Sequence, residues 1–519
     1  MKRRDFLRNS SFATLPVLLG GMGISAVNKP SFLDYISDDN DKILVLIFMN
    51  GGNDGLNTII PMDQYGVLSQ LRPQVILPEN QLLEIDNNNG LHPQMSGFKN
   101  LYDDQKLGIV QGVAYPDQNR SHFRSTDIWQ TASDANVVLD SGWLGRYLEI
   151  NHPDYPSGYP NPENPDPLAL TIDYSVSETC QGTAANFSLA LANENSISSI
   201  PESIQGDITD DCYGDELGFV IESIAQLNQY SERVLSVYDA GSNKSNLYDP
   251  GSRLAEQLKL VARLIDGGSQ TKVYIIHQGG YDTHAQQVLP NQHEVGNHAT
   301  LLQTLSDAIE AFQDDIDQLG HTERVLGMTY SEFGRRVRSN FSDGTDHGTA
   351  APMFLFGSCV QGGTLGSNPE LDTGIDGQAG VEMQYDFRSV YASVLMDWFG
   401  LNESEISTVL YKDFQYLPIL KNCLLPVEVQ EEKLRLRTVE LYPNPASSRV
   451  NVEVELPKGI YSVTVYSTLG GLVKNVFHRS LEKGEHQFTI DVSDLISGQY
   501  VLRMANQNDV ITKRFSVFR

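Results

Sequence analysis

Only four cysteines, Cys180, Cys212, Cys359 and Cys423, occur in 519 residues. They are too few and too scattered for a disulfide framework or a zinc knuckle. Cys180 and Cys212 share a polar, loop-rich region, and an oxidising compartment would allow them to pair; spacing alone does not establish that they are close. Basic residues are scarce as well, 37 Lys+Arg against 66 Asp+Glu, for a formal net charge of −29. A phosphate-backbone surface needs cations in excess, so nucleic acid is excluded as a partner. Such an acidic surface suits a protein that works outside the cytoplasm. No segment beyond the first thirty residues is long and apolar enough to cross a membrane. What remains is a globular composition, 40% hydrophobic and 20% charged, on a chain long enough for two or more units.

The first residues, "MKRRDFLRNSSFATLPVLLGGMGISAV", put paired Arg3 and Arg4 before a short, Gly- and Ala-rich apolar stretch. The length and flanks read as a cleavable export signal ending near residue 26. "RRDFLR" resembles the twin-arginine signal, whose translocon carries folded passengers; this implies a cofactor or metal loaded before export.

"KILVLIFMNGGNDGLN" holds an unbroken apolar run that stops at glycines, as expected of a strand covered on both faces. The same grammar returns in "KVYIIHQGGYDTH", "RVLGMTYSEFGRR" and "PMFLFG". Among these lies "HATLLQTLSDAIEAFQDDIDQLG", with Leu301, Leu305, Ile309, Phe312, Ile316 and Leu319 at helical spacing. The alternation predicts an α/β unit, a parallel sheet flanked by helices over residues 27–425, with its site beyond the carboxyl ends of the strands. Residues 150–215, rich in Pro, Asn and Asp, read as a surface loop or cap.

After a charged linker over 426–440 the texture changes. Short alternating strands such as "RVNVEVEL", "YSVTVYS", "HQFTIDVS" and "YVLRM" predict a small all-β sandwich over 441–519. That tail holds nine Lys+Arg against seven Asp+Glu, a net of +2, so the remainder carries −31. Its blocks "YPNPASSRVNVEV", "VYSTLGGLVK", "DVSDLISGQYVLRM" and "TKRFSV" resemble the type A C-terminal sorting domain of type IX secretion, found in the Bacteroidetes group. The resemblance implies the type IX machinery as a partner and delivery to the cell surface or the medium.

Polar clusters follow the apolar runs. Asn53 and Asp54 sit after the strongest one, where an Asp could hold a cation or simply make a turn. In "QNRSHFRSTDIWQ", Ser121 and Ser125 stand beside Arg120, His122 and Arg124 at the start of an expected helix. A hydroxyl there can attack a phosphate-like group with Arg neutralising its charge, or merely cap the helix. Asp282 and His284, two apart in an extended loop, point to one side and suit a shared metal ion. His277 reads as the hydrogen-bonded end of its strand, and His293 and His298 as residues of the polar face of the following helix. Glu332 ends another strand, and Asp346 and His347 lie in "SDGTDHGTAAP", among residues too small and flexible to fill a core. Arg335, Arg336 and Arg338 together read as a solvated face. This oxygen and nitrogen mix suits Zn²⁺, Mn²⁺ or Mg²⁺.

"LVLIFMNGGNDGLNTIIP", "LHPQM", "GIVQGVAYPDQNRSHFRSTDIWQTA", "GWLGRYL", "GGYDTHAQQ", "SEFGRRVRSN", "GTDHGTAAPMFLFG" and "DFRSVYASVL", in that order from about residue 43 to 400, resemble the family called domain of unknown function 1501, itself similar to the alkaline phosphatase and sulfatase superfamily. The resemblance implies an alkaline-phosphatase-like sheet and a metal-dependent hydrolase of phosphate or sulfate esters, small or polymeric. It implies Ser121 as nucleophile, Arg120 or Arg124 on the equatorial oxygens, and Asp54, Asp282, His284 and His347 as ligands. "YSEFG" stands where the superfamily has S-D-H-G: Glu332 can replace the Asp, but Phe333 cannot replace the His. Asp346 or His122 is then the substitute ligand, or the site holds one ion, or none; the rival is a surface binding protein of the same fold that has lost catalysis.

Overall fold

The computed structural model describes residues 41–193, 227–412, 414–421, 440–456, 459–467, 472–481, 483–505 and 510–518. The expected signal segment, Cys212, Cys423 and all but the last residue of the expected linker lie outside them. Cys180 is a free, buried thiol, which decides against the pairing with Cys212 that the sequence leaves open. Cys359, by contrast, is disulfide-bonded, so the chain carries a bridge that the scattered spacing did not suggest.

A nine-stranded sheet organises the larger part. Its strands are β1 (Ile43–Met49), β2 (Leu107–Ala114), β3 (Ala169–Thr171), β4 (Ser188–Ala190), β5 (Val273–Gln278), β6 (Val325–Tyr330), β7 (Ala351–Phe356) and β8 (Gly363–Leu365), in the spatial order β8-β2-β7-β6-β1-β5-β3-β4, with Tyr385–Asp386 paired to β2. β1 lies between β5 and β6, parallel to both. Every residue of β1 is buried, and its side chains divide with the two-residue period of a strand. Leu44, Leu46 and Phe48 enter one core, and Ile43, Val45, Ile47 and Met49 the other. The unbroken apolar run is therefore the signature of a sheet covered on both faces.

Helices supply the covers. On one face pack α1 (His122–Thr131), through Ile128 and Trp129, and α4 (Phe387–Asp397); on the other pack α2 (Arg253–Asp266) and α3 (Asn297–Leu319). The six apolar positions singled out in α3 all turn toward the core, Leu301 and Leu319 at its margin. Gly320, with φ +86°, ends the helix in the left-handed conformation that glycine adopts without steric cost. Ser252 caps α2 by accepting from the Ala255 amide.

Two features depart from the sequence expectation. β3 and β4 arise inside the stretch read as a surface loop, and Ala169–Thr171 is fully buried beside β5. Three-residue strands are too short to show a period, so only tertiary pairing reveals them. β7 runs antiparallel to both β2 and β6. Its amino-terminal end therefore shares an edge with the carboxyl ends of the parallel strands.

The C-terminal part forms two antiparallel sheets. One holds Glu440–Tyr442, Arg449–Leu456 and Gly484–Asp491; the other holds Gly459–Ser467, Leu472–Leu481, Gly498–Ala505 and Val510–Val517. Alternate residues Val450, Val452 and Val454 from the first and Tyr461, Val463, Val465, Leu502 and Met504 from the second share one core, as in a sandwich.

At the end of α4, the Tyr416 hydroxyl donates to Asp397 Oδ2 at 2.8 Å. Burial raises Asp397 to about 6. A carboxyl with a raised native pKa holds its proton more tightly folded than unfolded. Its contribution is full below the unfolded value and is lost as pH rises through about 6. Asp397→Asn keeps the acceptor and removes the charge. It is expected to stabilise the protein by about 1–2 kcal/mol at pH 8 and not at pH 4. Urea unfolding at the two pH values checks this; an effect independent of pH would refute it.

Candidate active site and metal centre

Five segments meet at the sheet edge where the parallel strands end and β7 begins. They are the turn after β1, the amino terminus of α1, the loop after β5, the segment after β6, and the segment before β7. The reversed direction of β7 lets Asp346 and His347, which precede their strand, reach an edge the other groups reach by following theirs. Close approach at the β1 turn depends on two glycines. A Cβ on Gly51 (φ +123°) would lie 2.3 Å from the Asp282 amide nitrogen, and one on Gly52 (φ +84°) 2.4 Å from the Phe333 ring.

His122, Asp282 and His347 each present one ligand atom, all within 4.8 Å of one another. Their hydrogen bonds fix which ring atoms are free. His347 Nδ1 lies 2.8 Å from the Arg120 carbonyl oxygen, which can only accept, so Nδ1 carries the proton and Nε2 of the neutral ring a lone pair. His122 Nδ1 lies 2.7 Å from Oε1 of the wholly buried Glu332, an oxygen that also accepts from the Gly51 amide. His122 Nε2 is then the free acceptor; it is buried, without a hydrogen-bond partner, and 3.4 Å from Asp282 Oδ2. His284 repeats the pattern, with Nδ1 at 3.0 Å from Asp346 Oδ1 and Nε2 at 2.8 Å from His347 Nε2 and 3.2 Å from Asp282 Oδ1.

Three imidazole nitrogens, Nε2 of His122, His284 and His347, and the Asp282 carboxylate thus face one another. Atoms so disposed repel unless a cation or proton stands between them. Bonds of roughly 2.0–2.1 Å to a tetrahedral ion imply ligand-to-ligand edges of about 3.3–3.4 Å; His347 Nε2 is 3.2 Å from Asp282 Oδ1 and His122 Nε2 is 3.4 Å from Asp282 Oδ2, whereas the Nε2 atoms of His284 and His347 are 2.8 Å apart and would have to separate if both bound the ion. The donor set therefore fits a divalent ion of the zinc or manganese type. Glu332 and the Arg120 carbonyl stand behind the two histidines as the outer acceptors such ligands require.

Charge is arranged to keep Asp282 ionised. Burial alone would raise its pKa, yet the Arg335 guanidinium, with His347 and His284, holds it at about 2. The His122 pKa is raised, chiefly by its bond to Glu332, and that of His347 is lowered, chiefly by burial. Burial would likewise raise Asp346, but His284, Asn340 and Arg336 hold it below the usual carboxylate range. Arg335 is 1% exposed, a correction to the solvated face expected of the three arginines. Its guanidinium donates to the carbonyls of Gly51, Gly52, Tyr281 and Thr345 and to Asp282 Oδ1, tying four of the site's loops together. Phe333 packs its ring 4.9 Å from His122 and 4.6 Å from His347, as an apolar wall to the cluster.

Other candidates lie elsewhere. Asp54 is buried in an ion pair with Arg72, with Gln287 donating to the same oxygen. It makes no ion pair or hydrogen bond with His122, Asp282 or His347 among the described residues. Arg124 is turned away, paired with Asp127 and bound to the carbonyls of Asp134, Ala135 and Val137. Ser125 is wholly buried, its hydroxyl donating to the Glu332 carbonyl. Ser121 is exposed and makes no capping bond, and it sits between Arg120 and His122, both of which touch the cluster. His298 is buried, with Nε2 3.0 Å from Asn53 Oδ1, not on a polar face. His277 does end its strand hydrogen-bonded, with Nδ1 3.3 Å from Asp173. Glu332 was read as a ligand and Arg335 as solvent-facing; neither spacing nor composition distinguishes a ligand from the residue that orients one.

An α/β sheet with this rim defines the class of protein, and comparison places it within a family. Residues 106–409 match the family described as protein of unknown function (DUF1501), and the chain belongs to it. Residues 440–517 match the secretion system C-terminal sorting domain, which marks the chain for secretion or surface exposure. No curated protein matches. Among solved structures, the chain is similar to an alkaline phosphatase superfamily protein from Vibrio parahaemolyticus (9% identity, 88% of this chain and 83% of that one, TM-score 0.34). It is also similar to a phosphonate monoester hydrolase from Silicibacter pomeroyi (9%, 92% and 89%, 0.32) and a sulfatase from Pseudoalteromonas sp. (11%, 88% and 84%, 0.31). No described helix is long and apolar enough to cross a membrane.

Proposed function

We propose that this is an exported, metal-dependent hydrolase of phosphate or sulfate esters, delivered by the type IX machinery after passage through the twin-arginine translocon. The convergence of His122, Asp282 and His347 within 4.8 Å carries this reading. His284, through Nε2, is the fourth donor in reach, with Asp346 orienting it. A divalent ion held there would supply Lewis acidity to the ester oxygen and lower the pKa of a nearby hydroxyl. Ser121 is the hydroxyl of choice as nucleophile, because Ser125 is committed to the Glu332 carbonyl. Arg120, which lies near Arg336, is the cation available to draw a dianionic substrate toward the cluster, because Arg336 is paired with Asp346 at 3.0 Å.

The rival reading, a binding protein of the same fold without turnover, rests on Phe333, an apolar ring where the superfamily pattern has a histidine. One experiment separates them. The purified protein is expected to take up stoichiometric Zn²⁺ or Mn²⁺ and to cleave nitrophenyl phosphate or nitrophenyl sulfate. Metal uptake without cleavage of either would favour the binder, and no uptake would remove both the ion and the hydrolysis.

A further inference from the structure

Gln287, in the loop after β5, is wholly buried, where a carboxamide is stable only if its oxygen and its nitrogen are both partnered. Both are. Oε1 accepts from the Thr345 hydroxyl at 2.6 Å and from the Thr283 hydroxyl at 3.1 Å, and Nε2 donates to Asp54 Oδ2 at 2.6 Å. A carboxylate paired with Arg72 can only accept, so Asp54 fixes which end of the amide faces the two threonines. Arg72 in turn reaches the carbonyls of Arg336 and Val337. Thr283 stands between Asp282 and His284, and Thr345 directly precedes Asp346 and His347. One buried oxygen thus binds both of the loops that carry these groups. The backbone joins them as well: the Thr345 amide donates to the Thr283 carbonyl at 3.2 Å and the Gln287 amide to the Asp343 carbonyl at 2.9 Å.

We propose that Gln287 is a positioning residue of the metal centre: its carboxamide, anchored by Asp54, sets the spacing between the loop that carries Asp282 and His284 and the loop that carries Asp346 and His347. This deepens the proposed function and rests on its metal site, not on turnover. Inside the cluster, contacts cross between the two loops at 3.2 Å from Asp282 Oδ1 to His347 Nε2 and at 2.8 Å from His284 Nε2 to His347 Nε2. Ligand bonds hold to within about 0.2 Å, so the loops must keep a matching precision to receive an ion. A buried network with every member partnered supplies such rigidity. Arg335 ties the same loops through the carbonyls of Tyr281 and Thr345; Gln287 ties them through side chains that substitution can remove one at a time. Asp54, which makes no bond to His122, Asp282 or His347 among the described residues, acts on the centre through this amide.

Titration of the full chain, freed of metal by chelation, with Co²⁺ tests this without substrate, because the visible absorption of Co²⁺ reports its coordination geometry. Gln287→Leu is expected to bind Co²⁺ about 10–100-fold more weakly than the wild type, the range for loss of an outer-shell partner, with weaker bands as water replaces a ligand from one loop. Thr345→Val removes a single hydroxyl, and the expected loss is about tenfold, the lower end of that range. Thr345→Ser restores the hydroxyl and is expected to bind within about twofold of the wild type. If Gln287→Leu does not fold, the contrast between Thr345→Val and Thr345→Ser carries the test. Thermal unfolding of the metal-free variants accompanies the titration. A lowered melting temperature with Co²⁺ affinity and bands unchanged in the folded protein would mean that Gln287 supports the fold alone, and overturns the inference. Equal affinity in the wild type, Gln287→Leu and Thr345→Val overturns it while the metal reading stands, and no uptake by the wild type overturns both. Weakened binding in the variants of a protein that cleaves neither nitrophenyl ester upholds the inference and removes hydrolysis alone.

Discussion

Arg335→Met is expected to cost the fold about 3–5 kcal/mol, the range for removing one member of a buried, hydrogen-bonded charge network. The guanidinium donates to four backbone carbonyls in the turn after β1, the loop after β5 and the segment before β7. A methionine fills much of the volume but leaves those acceptors unpartnered, and each buried carbonyl so stranded costs roughly 1–3 kcal/mol. Asp282 would lose the partner that holds it at about 2, so its pKa should move up toward the ordinary carboxylate range. Arg335→Lys keeps the charge, but a compact ammonium cannot reproduce a planar fork directed at several carbonyls, and most of the loss should remain. Urea unfolding of both variants at pH 7 provides the measurement. A loss below about 1 kcal/mol for the methionine variant would show that the loops are held without the guanidinium.

The same residue marks the limit of what the sequence discloses. β1 and α3 are legible because a run of seven apolar residues, or six at helical spacing, has few other uses. The loop residues Asp282, His284, Asp346 and His347 are legible as chemistry because they cannot fill a core and lie beside strands. Their convergence is only partly legible, because it depends on the reversed direction of β7, and strand direction leaves no mark in an apolar run. Asp54 illustrates the converse. An aspartate after the first strand satisfies the expected pattern, but its partner, Arg72, is 18 residues away, in a stretch with no motif. A buried ion pair and a metal ligand make the same demand on composition, and only geometry separates them. His122 shows a further ambiguity: beside two serines and two arginines it reads as one member of a phosphate site, whereas its bond to Glu332 orients its ring toward Asp282.

The largest functional effect is expected from the lone pairs themselves. His347→Ala removes the nitrogen that stands 3.2 Å from Asp282 and 2.8 Å from His284. Metal uptake should fall by at least about a hundredfold, the upper end of what loss of an outer-shell partner causes, since an inner ligand matters more. Ester cleavage should fall with it. Glu332→Gln is the graded comparison. Its amide oxygen can still accept from the Gly51 amide and from His122 Nδ1, so the ring keeps its orientation but loses the negative charge that makes Nε2 a stronger donor. The expected loss of metal affinity there is about 10–100-fold, with the melting temperature little changed. Equilibrium dialysis against Zn²⁺ reads both variants, and thermal unfolding of each separates a lost ligand from a lost fold. If His347→Ala binds zinc as the wild type does, the ion is held elsewhere and the tautomer argument fails. If Glu332→Gln matches the wild type, the carboxylate serves the Gly51 turn alone and His122 needs no charged partner to act as a ligand.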